Sequence, residues 1–103
     1  FSSTGALRNV SGNNTVSGNV TVGWTGGTQA TQSATIQVSG GTNLTLSGIL
    51  QGSNILTKAD AGTLIYSGAS ANTLSGNTII NGGTLLLNKT AGLNAIAGNA
   101  TIN

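Results

Sequence analysis

The sequence predicts an all-β protein, and within that class a parallel β-helix (β-solenoid) of about five coils with a period of about 21 residues. Two recurrences carry this prediction. The dipeptide Gly-Thr returns at equal intervals, at Gly41, Gly62 and Gly83. The phrase SGNTIIN at 75–81 returns one period later as AGNATIN at 97–103. The absence of proline is the third observation, because every main-chain N–H then remains available to a β-ladder.

The predicted strands are short runs of β-favouring residues that Gly, Asn or Ser separate. Each period carries two of them, with glycine at the tight turns between them. A helix is not expected, since the 3.6-residue apolar rhythm is missing and glycine is spread throughout. In chain order, the predicted strands are 19–22, 34–38, 43–47, 54–57, 63–67, 77–80, 84–88 and 99–103.

A stacked coil accounts for the composition. Leu, Ile and Val at inward positions would fill a narrow core, and Thr, Asn and Ser at outward positions would stack on like residues one coil away. Thr42, Thr63 and Thr84 follow the recurring glycines and are predicted to form one such stacked ladder. Disorder is the alternative, but Leu, Ile, Val and Phe make up 25 of 103 residues, about 24%, above the roughly 20% that marks disordered chains.

Charge is almost absent from the chain. The only charged residues are Arg8, Lys58, Asp60 and Lys89, for a net charge of +2. With no basic patch, neither nucleic acid nor an anionic membrane is expected as a partner. No apolar run approaches the roughly 18 to 20 residues of a membrane span, so no membrane insertion of this segment is expected. We interpret residues 1–103 as a single β-solenoid domain or a segment of a longer solenoid, from which any signal peptide has been removed.

The sequence offers little catalytic chemistry. Histidine and cysteine are absent, and Asp60 is the single acid, so paired-carboxylate catalysis, histidine-based triads and metal sites are not expected. We therefore predict no enzyme, no cofactor and no metal. A Ser–Lys dyad that uses Lys58 or Lys89 stays open, although both lysines lie near predicted turns. Lys58 and Asp60 are expected to form an exposed ion pair, because residues two apart share one face of a strand.

Two aromatic residues, Trp24 and Tyr66, are the candidate surface contacts. Trp24 lies in the glycine-rich stretch VGWTGG, where it would either cover the edge of the core or stack on a sugar or a neighbouring subunit. Asn-X-Ser/Thr triplets permit either glycosylation or simple Asn–Thr stacking, and both readings stay open. They begin at Asn9, Asn13, Asn19, Asn43, Asn88 and Asn99.

Residues 55–90 resemble the autotransporter-associated β-strand repeat, also called the passenger-associated transport repeat. The matching pieces are LTK at 56–58, AGTL at 61–64, SGA at 67–69, SGNT at 75–78 and INGGTL at 80–85. The resemblance implies a secreted or surface-displayed bacterial passenger with a right-handed parallel β-helix fold, whose repeat serves passenger export and folding rather than catalysis. Asp60 departs from the pattern, which more often has a small or uncharged residue there.

The function expected from these observations is structural and non-enzymatic. We predict an extracellular β-solenoid module of a bacterial surface protein, as a stalk, a biofilm matrix component or a filament subunit that self-associates through its end coils. The alternative is an adhesin-type module that binds a glycan or a host surface, with Trp24 as a contact. An ice-binding solenoid and a functional amyloid are weaker alternatives, because the threonine rows are irregular and glutamine is sparse.

Overall fold

The computed structural model describes residues 7–22 and 33–103. Within these residues the chain forms β-strands and no helix, and every strand pairing is parallel, which confirms the all-β prediction. The strands are β1 (Leu7–Asn9), β2 (Asn13–Val16), β3 (Val20–Val22), β4 (Ser33–Val38), β5 (Asn43–Leu46), β6 (Leu50–Gly52), β7 (Ile55–Ala59), β8 (Thr63–Gly68), β9 (Thr78–Ile80), β10 (Thr84–Lys89) and β11 (Ala100–Ile102).

The strands belong to three parallel sheets, which they enter in rotation as far as β6; from β7 onward only the first two sheets continue. Sheet A has the order β1-β4-β7-β9-β11, sheet B the order β10-β8-β5-β2, and sheet C contains β3 and β6. We number as repeats 1 to 4 the segments that begin at β1, β4, β7 and β9, and β11 begins a fifth repeat. Because each repeat returns to the sheets of the one before it, neighbours in sequence order are also neighbours in space. This arrangement is consistent with a β-solenoid.

The spacing between repeats is regular after the first one. In sheet A, Leu56 pairs with Thr78 and Thr78 pairs with Ala100, so the two offsets are equal. In sheet B, Asn43 pairs with Thr63 and Thr63 pairs with Thr84, and these offsets differ by one. The offset between β2 and β5 is larger, because the chain between repeats 1 and 2 is longer. The predicted period of about 21 residues thus holds from repeat 2 onward.

The third sheet was not foreseen. Two strands per period were predicted, but repeats 1 and 2 each have three. Sheet C escapes sequence reasoning because its strands have only three residues, and β6 ends in a glycine. Repeat 3 continues this side without a strand, since the N–H groups of Thr73 and Leu74 donate to the carbonyl oxygen of Leu50 at 2.9 and 3.0 Å.

The core follows from strict alternation along the strands. In β5 and β8 every second residue is buried, because side chains two apart point to the same face. The inward residues of all three sheets meet in one apolar cluster: Val22, Ala34, Ile36, Val38, Leu44, Leu46, Leu50, Leu56, Leu64, Tyr66 and Leu74.

The predicted threonine ladder is interrupted at Thr42. Thr84 pairs with Thr63, but the register partner of Thr63 is Asn43. The placement predicted for Thr42 is therefore wrong, and the reason is the length of one corner. Residues 39–42 separate β4 from β5, whereas three residues separate the corresponding strands in repeats 1, 3 and 4. The additional residue shifts the register by one, which moves Thr42 to the inner side of the corner, where it is only 8% exposed.

Candidate functional site

Lys58 lies inside the protein, near the corner that joins sheet A to sheet B. In β7 it shares the inward face with Leu56, since residues two apart on a strand face the same side. Its register partners are Ile36 and Ile80, so a lysine occupies a position that is aliphatic in the neighbouring repeats. The side chain is 0% exposed. The exposed position predicted from the sequence is therefore wrong.

The ammonium group of Lys58 is surrounded by main-chain carbonyl groups. Its Nζ donates to the carbonyl oxygens of Asp60 and Gly82, each at 2.9 Å, and to that of Ala59 at 3.4 Å. Gly82 belongs to repeat 4, so Lys58 joins two repeats. The next residue, Gly83, has a φ of +67°, and a Cβ there would lie 2.6 Å from Lys58 Nζ. Glycine is therefore needed at this position both for its φ and for the approach of the lysine.

Burial and the charge of Asp60 shift the pKa of Lys58 in opposite directions. Desolvation lowers the pKa of its ammonium group, while the nearby Asp60 carboxylate partly offsets this by raising the pKa. Because the folded pKa is lower than the ordinary 10.5, the unfolded chain binds more protons than the folded chain just below pH 10.5. The contribution of Lys58 to stability therefore rises with pH across that window.

Replacing Lys58 with methionine is expected to lower the free energy of unfolding at pH 7 by about 1–3 kcal/mol. Methionine fills most of the space of the lysine stem, but it leaves the carbonyl oxygens of Asp60 and Gly82 without this donor. Denaturant unfolding followed by circular dichroism measures the difference. Arg8→Gln removes a charge from an exposed position and should change stability by less than about 0.5 kcal/mol. Unchanged stability in Lys58→Met would mean that desolvation of the ammonium group cancels its hydrogen bonds.

Tyr66, a predicted surface contact, lies in the core. It is 1% exposed and stacks in register between Leu46 and Leu87. It shares the inward face of β8 with Leu64, and this alternation decides its position. Its hydroxyl group finds no hydrogen-bond partner among the described residues. Burial raises the pKa of this hydroxyl group well above its ordinary value of 10.0.

Tyr66→Phe is expected to be neutral or stabilising by about 1 kcal/mol at pH 7, because it removes a buried hydroxyl group that lacks a partner. Above pH 10.0 the difference should grow. There the unfolded chain releases the tyrosine proton and the folded chain keeps it, so wild-type stability falls as pH rises. Thermal unfolding at pH 7 and at about pH 11 tests both points. Since Tyr66 is the only tyrosine, tyrosinate absorbance reports its ionisation directly. A tyrosinate signal from the folded chain near pH 10.0 would contradict the buried position.

A buried asparagine, two register positions beyond the equivalent of Lys58, lies at the corner between repeats 1 and 2. Asn9 is 4% exposed, and its Nδ2 donates to Thr42 Oγ1 at 2.9 Å and to the carbonyl oxygen of Gly12 at 3.1 Å. Thr42 in turn donates to the carbonyl oxygen of Ser39 at 2.7 Å. Asn14 donates to Asn9 Oδ1 at 2.6 Å. Different side chains thus satisfy the corner carbonyls in different repeats, and the task they perform is structural.

The C-terminal end of the stack exposes apolar side chains. Leu87 and Ile102 are 51% and 80% exposed although their strand positions face inward. They are exposed because β10 and β11 are the edge strands of sheets B and A among the described residues. With Ile80, Leu85 and neighbouring residues they line an open cavity of about 310 Å³. Unpaired strand edges beside an apolar cavity suit the addition of further β-structure.

Sequence reasoning missed a threonine-rich column on the outer face of sheet A. The register aligns Thr35 with Thr57, Thr57 with Ile79, and Ile79 with Thr101. The signal in the sequence is threonine at 35, 57 and 101, spaced by whole periods. Trp24, the other predicted surface contact, lies outside the described residues.

The described residues contain no cluster of the side chains that ordinarily hold a metal ion. No three side chains of the His, Cys, Asp or Glu type cluster in residues 7–22 and 33–103. The same residues form no helix that is long and apolar enough to cross a membrane. What the described geometry offers is an outer surface with few charges, on which threonines stack along sheet A, and an open apolar end.

The chain is thus all-β, with stacked parallel sheets, and resembles part of a much longer protein. Over 49 residues, 48% of its length, it is 53% identical to a protein described as adhesin BmaC autotransporter, from Brucella suis biovar 1 (strain 1330). The match spans about 1% of the length of that relative. No family model matches the chain. No solved structure matches it either.

Proposed function

We propose that this chain is a right-handed parallel β-helix that serves as a structural, non-enzymatic segment of a bacterial surface protein outside the cell. It forms part of a stalk, a matrix or a filament, and copies of the chain self-associate through their end repeats. The observation that carries the proposal is the in-register stacking of repeats that ends in an open apolar edge. This role requires no cofactor or metal, and the described exterior carries few charges, which argues against nucleic acid or an anionic membrane as a partner.

Two considerations support the winding and its hand. The strands enter sheets A, B and C in rotation as far as β6, and sheets A and B in alternation from β7 onward, so a single continuous winding accounts for the three sheets. Connections between parallel strands of one sheet are right-handed in about 98% of cases. The similarity to an autotransporter adhesin supports a location at the cell surface or in the secreted fraction.

Self-association at the C-terminal end is argued from the same edges. Within the chain, β9 accepts β11 in register, and the two strands carry the related phrases at 75–81 and 97–103. β11 presents the same kind of free edge to a second copy. The described residues of this end carry little charge to oppose contact, since β11 has none and β10 ends in the single Lys89.

Sedimentation velocity over a concentration series tests the association. The wild-type chain is expected to grow in mass with concentration, and Ile102→Lys is expected to remain monomeric, because it places a charge at the open end. Thr73→Lys adds the same charge at an exposed position of repeat 3, away from the edge strands at both ends, and should associate like the wild type. A wild-type chain that stays monomeric throughout would remove self-association and leave a purely monomeric stalk.

A second candidate function is adhesion, and the description of the relative as an adhesin favours it. The surface for it is the outer face of sheet A, with Thr57 and Thr101; Trp24, outside the described residues, is the contact predicted from the sequence. A glycan array with the wild-type chain should then give binding that Trp24→Ala or Thr57→Lys abolishes. An array without binding would count against adhesion to glycans.

A further inference from the structure

We propose that the stack opens one repeat at a time under tension, and that Lys89 sets the resistance of repeat 4. The inference rests on the proposed role as a stalk, which would carry load between its two ends. The carrying observations are the positions of the first and last strands and one hydrogen bond that skips a repeat.

Tension between the ends of the described chain crosses sheet A from edge to edge. β1 and β11 are the two edge strands of that sheet, with β4, β7 and β9 between them. In a sheet the hydrogen bonds run perpendicular to the strands, so this load acts along the hydrogen bonds. Bonds loaded in this way separate one strand after another, whereas a load along the strands would strain all of them together. Each terminal strand has only three residues, which limits the free-energy barrier to its separation from the sheet.

Strand pairing links each repeat only to its neighbours, as in other repeat proteins. Stacks of this kind open in separate units when no longer contact joins the units. Side-chain bonds mostly follow the same rule. Asn72, for example, accepts from the N–H of Leu50 at 2.8 Å and donates to the carbonyl oxygen of Ala95 at 3.0 Å, one repeat away on each side.

Lys89 is different because its side chain reaches over a whole repeat. It lies at the end of β10 in repeat 4, and its Nζ donates to the carbonyl oxygen of Gly48 in repeat 2 at 2.9 Å. Its register partner in repeat 3 is Gly68, which has no side chain to block the path. Burial against the protein lowers the pKa of Lys89, in agreement with a side chain that lies along the surface rather than in solvent.

This bond has a mechanical consequence. Repeat 4 cannot separate from repeat 3 unless the hydrogen bond between Lys89 and repeat 2 also breaks. Lys89 therefore connects repeat 4 to both of the repeats before it. When the chain is pulled from its C-terminus, β11 separates first. Lys89 is then the first residue of β10 to come under load. Removing this hydrogen bond should therefore raise the rate at which repeat 4 opens and leave the rate for repeat 1 unchanged.

Optical tweezers on the full 103-residue chain test the inference. The chain has no cysteine, so one cysteine added at each terminus attaches the handles there alone. The expected record is a series of extensions of about 75 Å in contour length, the reach of about 22 extended residues. At constant force, Lys89→Met should open its C-terminal step about fivefold faster, and Lys89→Arg, which keeps a donor, should remain near the wild-type rate.

Each outcome decides a separate claim. One all-or-none extension of the whole stack would overturn opening by repeats. Stepwise opening with equal rates in wild type and Lys89→Met would overturn the role of Lys89. If Lys89→Met fails to fold, native-state hydrogen exchange of the wild type provides the test. A lower free energy of opening for the amides of 84–89 than for those of 55–68 supports the inference, and equal free energies of opening overturn it. A chain that self-associates in the centrifuge but opens in one step would overturn this inference and leave the proposed function standing.

Discussion

Gly76→Ala is expected to lower the free energy of unfolding by about 3 kcal/mol or more, and it is one of the two largest effects that the structure predicts. A Cβ at Gly76 would overlap the carbonyl oxygen of Asn54 and lie 2.8 Å from that of Ser53. Both are main-chain atoms of the preceding repeat, so no side-chain rotation can relieve the contact. The two repeats would have to separate locally, with the loss of hydrogen bonds such as that from Ser75 N to Gly52 O.

The same Ser-Gly-Asn motif supplies a matched control. Gly18 lies between Ser17 and Asn19, as Gly76 lies between Ser75 and Asn77, but a Cβ at Gly18 would meet nothing within 4 Å. Gly18→Ala should therefore change stability by less than about 0.5 kcal/mol. Denaturant unfolding of the two variants beside the wild type measures both values. Equal losses would show that glycine is required by the motif itself and not by the repeat packed against it.

Leu64→Ala is the second large effect, with an expected loss of about 2–5 kcal/mol. Leu64 is 0% exposed and stacks in register between Leu44 and Leu85, so the truncation leaves a cavity between three repeats. A small domain has a total stability of about 5–15 kcal/mol, so this variant should be close to unfolding at room temperature.

Leu86→Ala is the control for Leu64→Ala. Leu86 occupies the outward face of β10 next to Leu85 and is 47% exposed. Its truncation should lower the free energy of unfolding by about 1 kcal/mol at most. Thermal and denaturant unfolding of both variants test the assignment of faces. A larger loss for Leu86→Ala than for Leu64→Ala would mean that the register of β8 and β10 is wrong by one residue.

Most strands could be predicted from the sequence because their signals are local. All eight predicted runs overlap observed strands, from β3 at 19–22 to β11 at 99–103. The strands that were missed are β1, β2 and β6. β2 reads NNTV, and asparagine disfavours strands. It is a strand because Asn13 and Val16 pair in register with Asn43 and Leu46 of the next repeat, a contact that no local signal contains.

The candidate site was predicted less well, because side-chain direction decides it. Lys58 and Tyr66 each carry a polar group that ordinarily favours the surface, and the sequence analysis placed both there. Both share the parity of buried leucines, Leu56 and Leu64, and in this narrow core the alternation prevails over polarity. Lys58 tolerates burial because main-chain oxygens accept hydrogen bonds from its ammonium group. Tyr66 tolerates it through the apolar area that its ring buries.

The sequence by itself determined the all-β class, the regular period and the poverty of catalytic side chains, because periodicity, proline content and residue type are properties of the chain alone. The tertiary structure decided the third sheet, the shift of Thr42 away from Thr63, the burial of Lys58 and the reach of Lys89 to Gly48. Each of these depends on register between segments that lie a whole period or more apart in the chain. One additional residue in a corner changes that register without altering any local pattern.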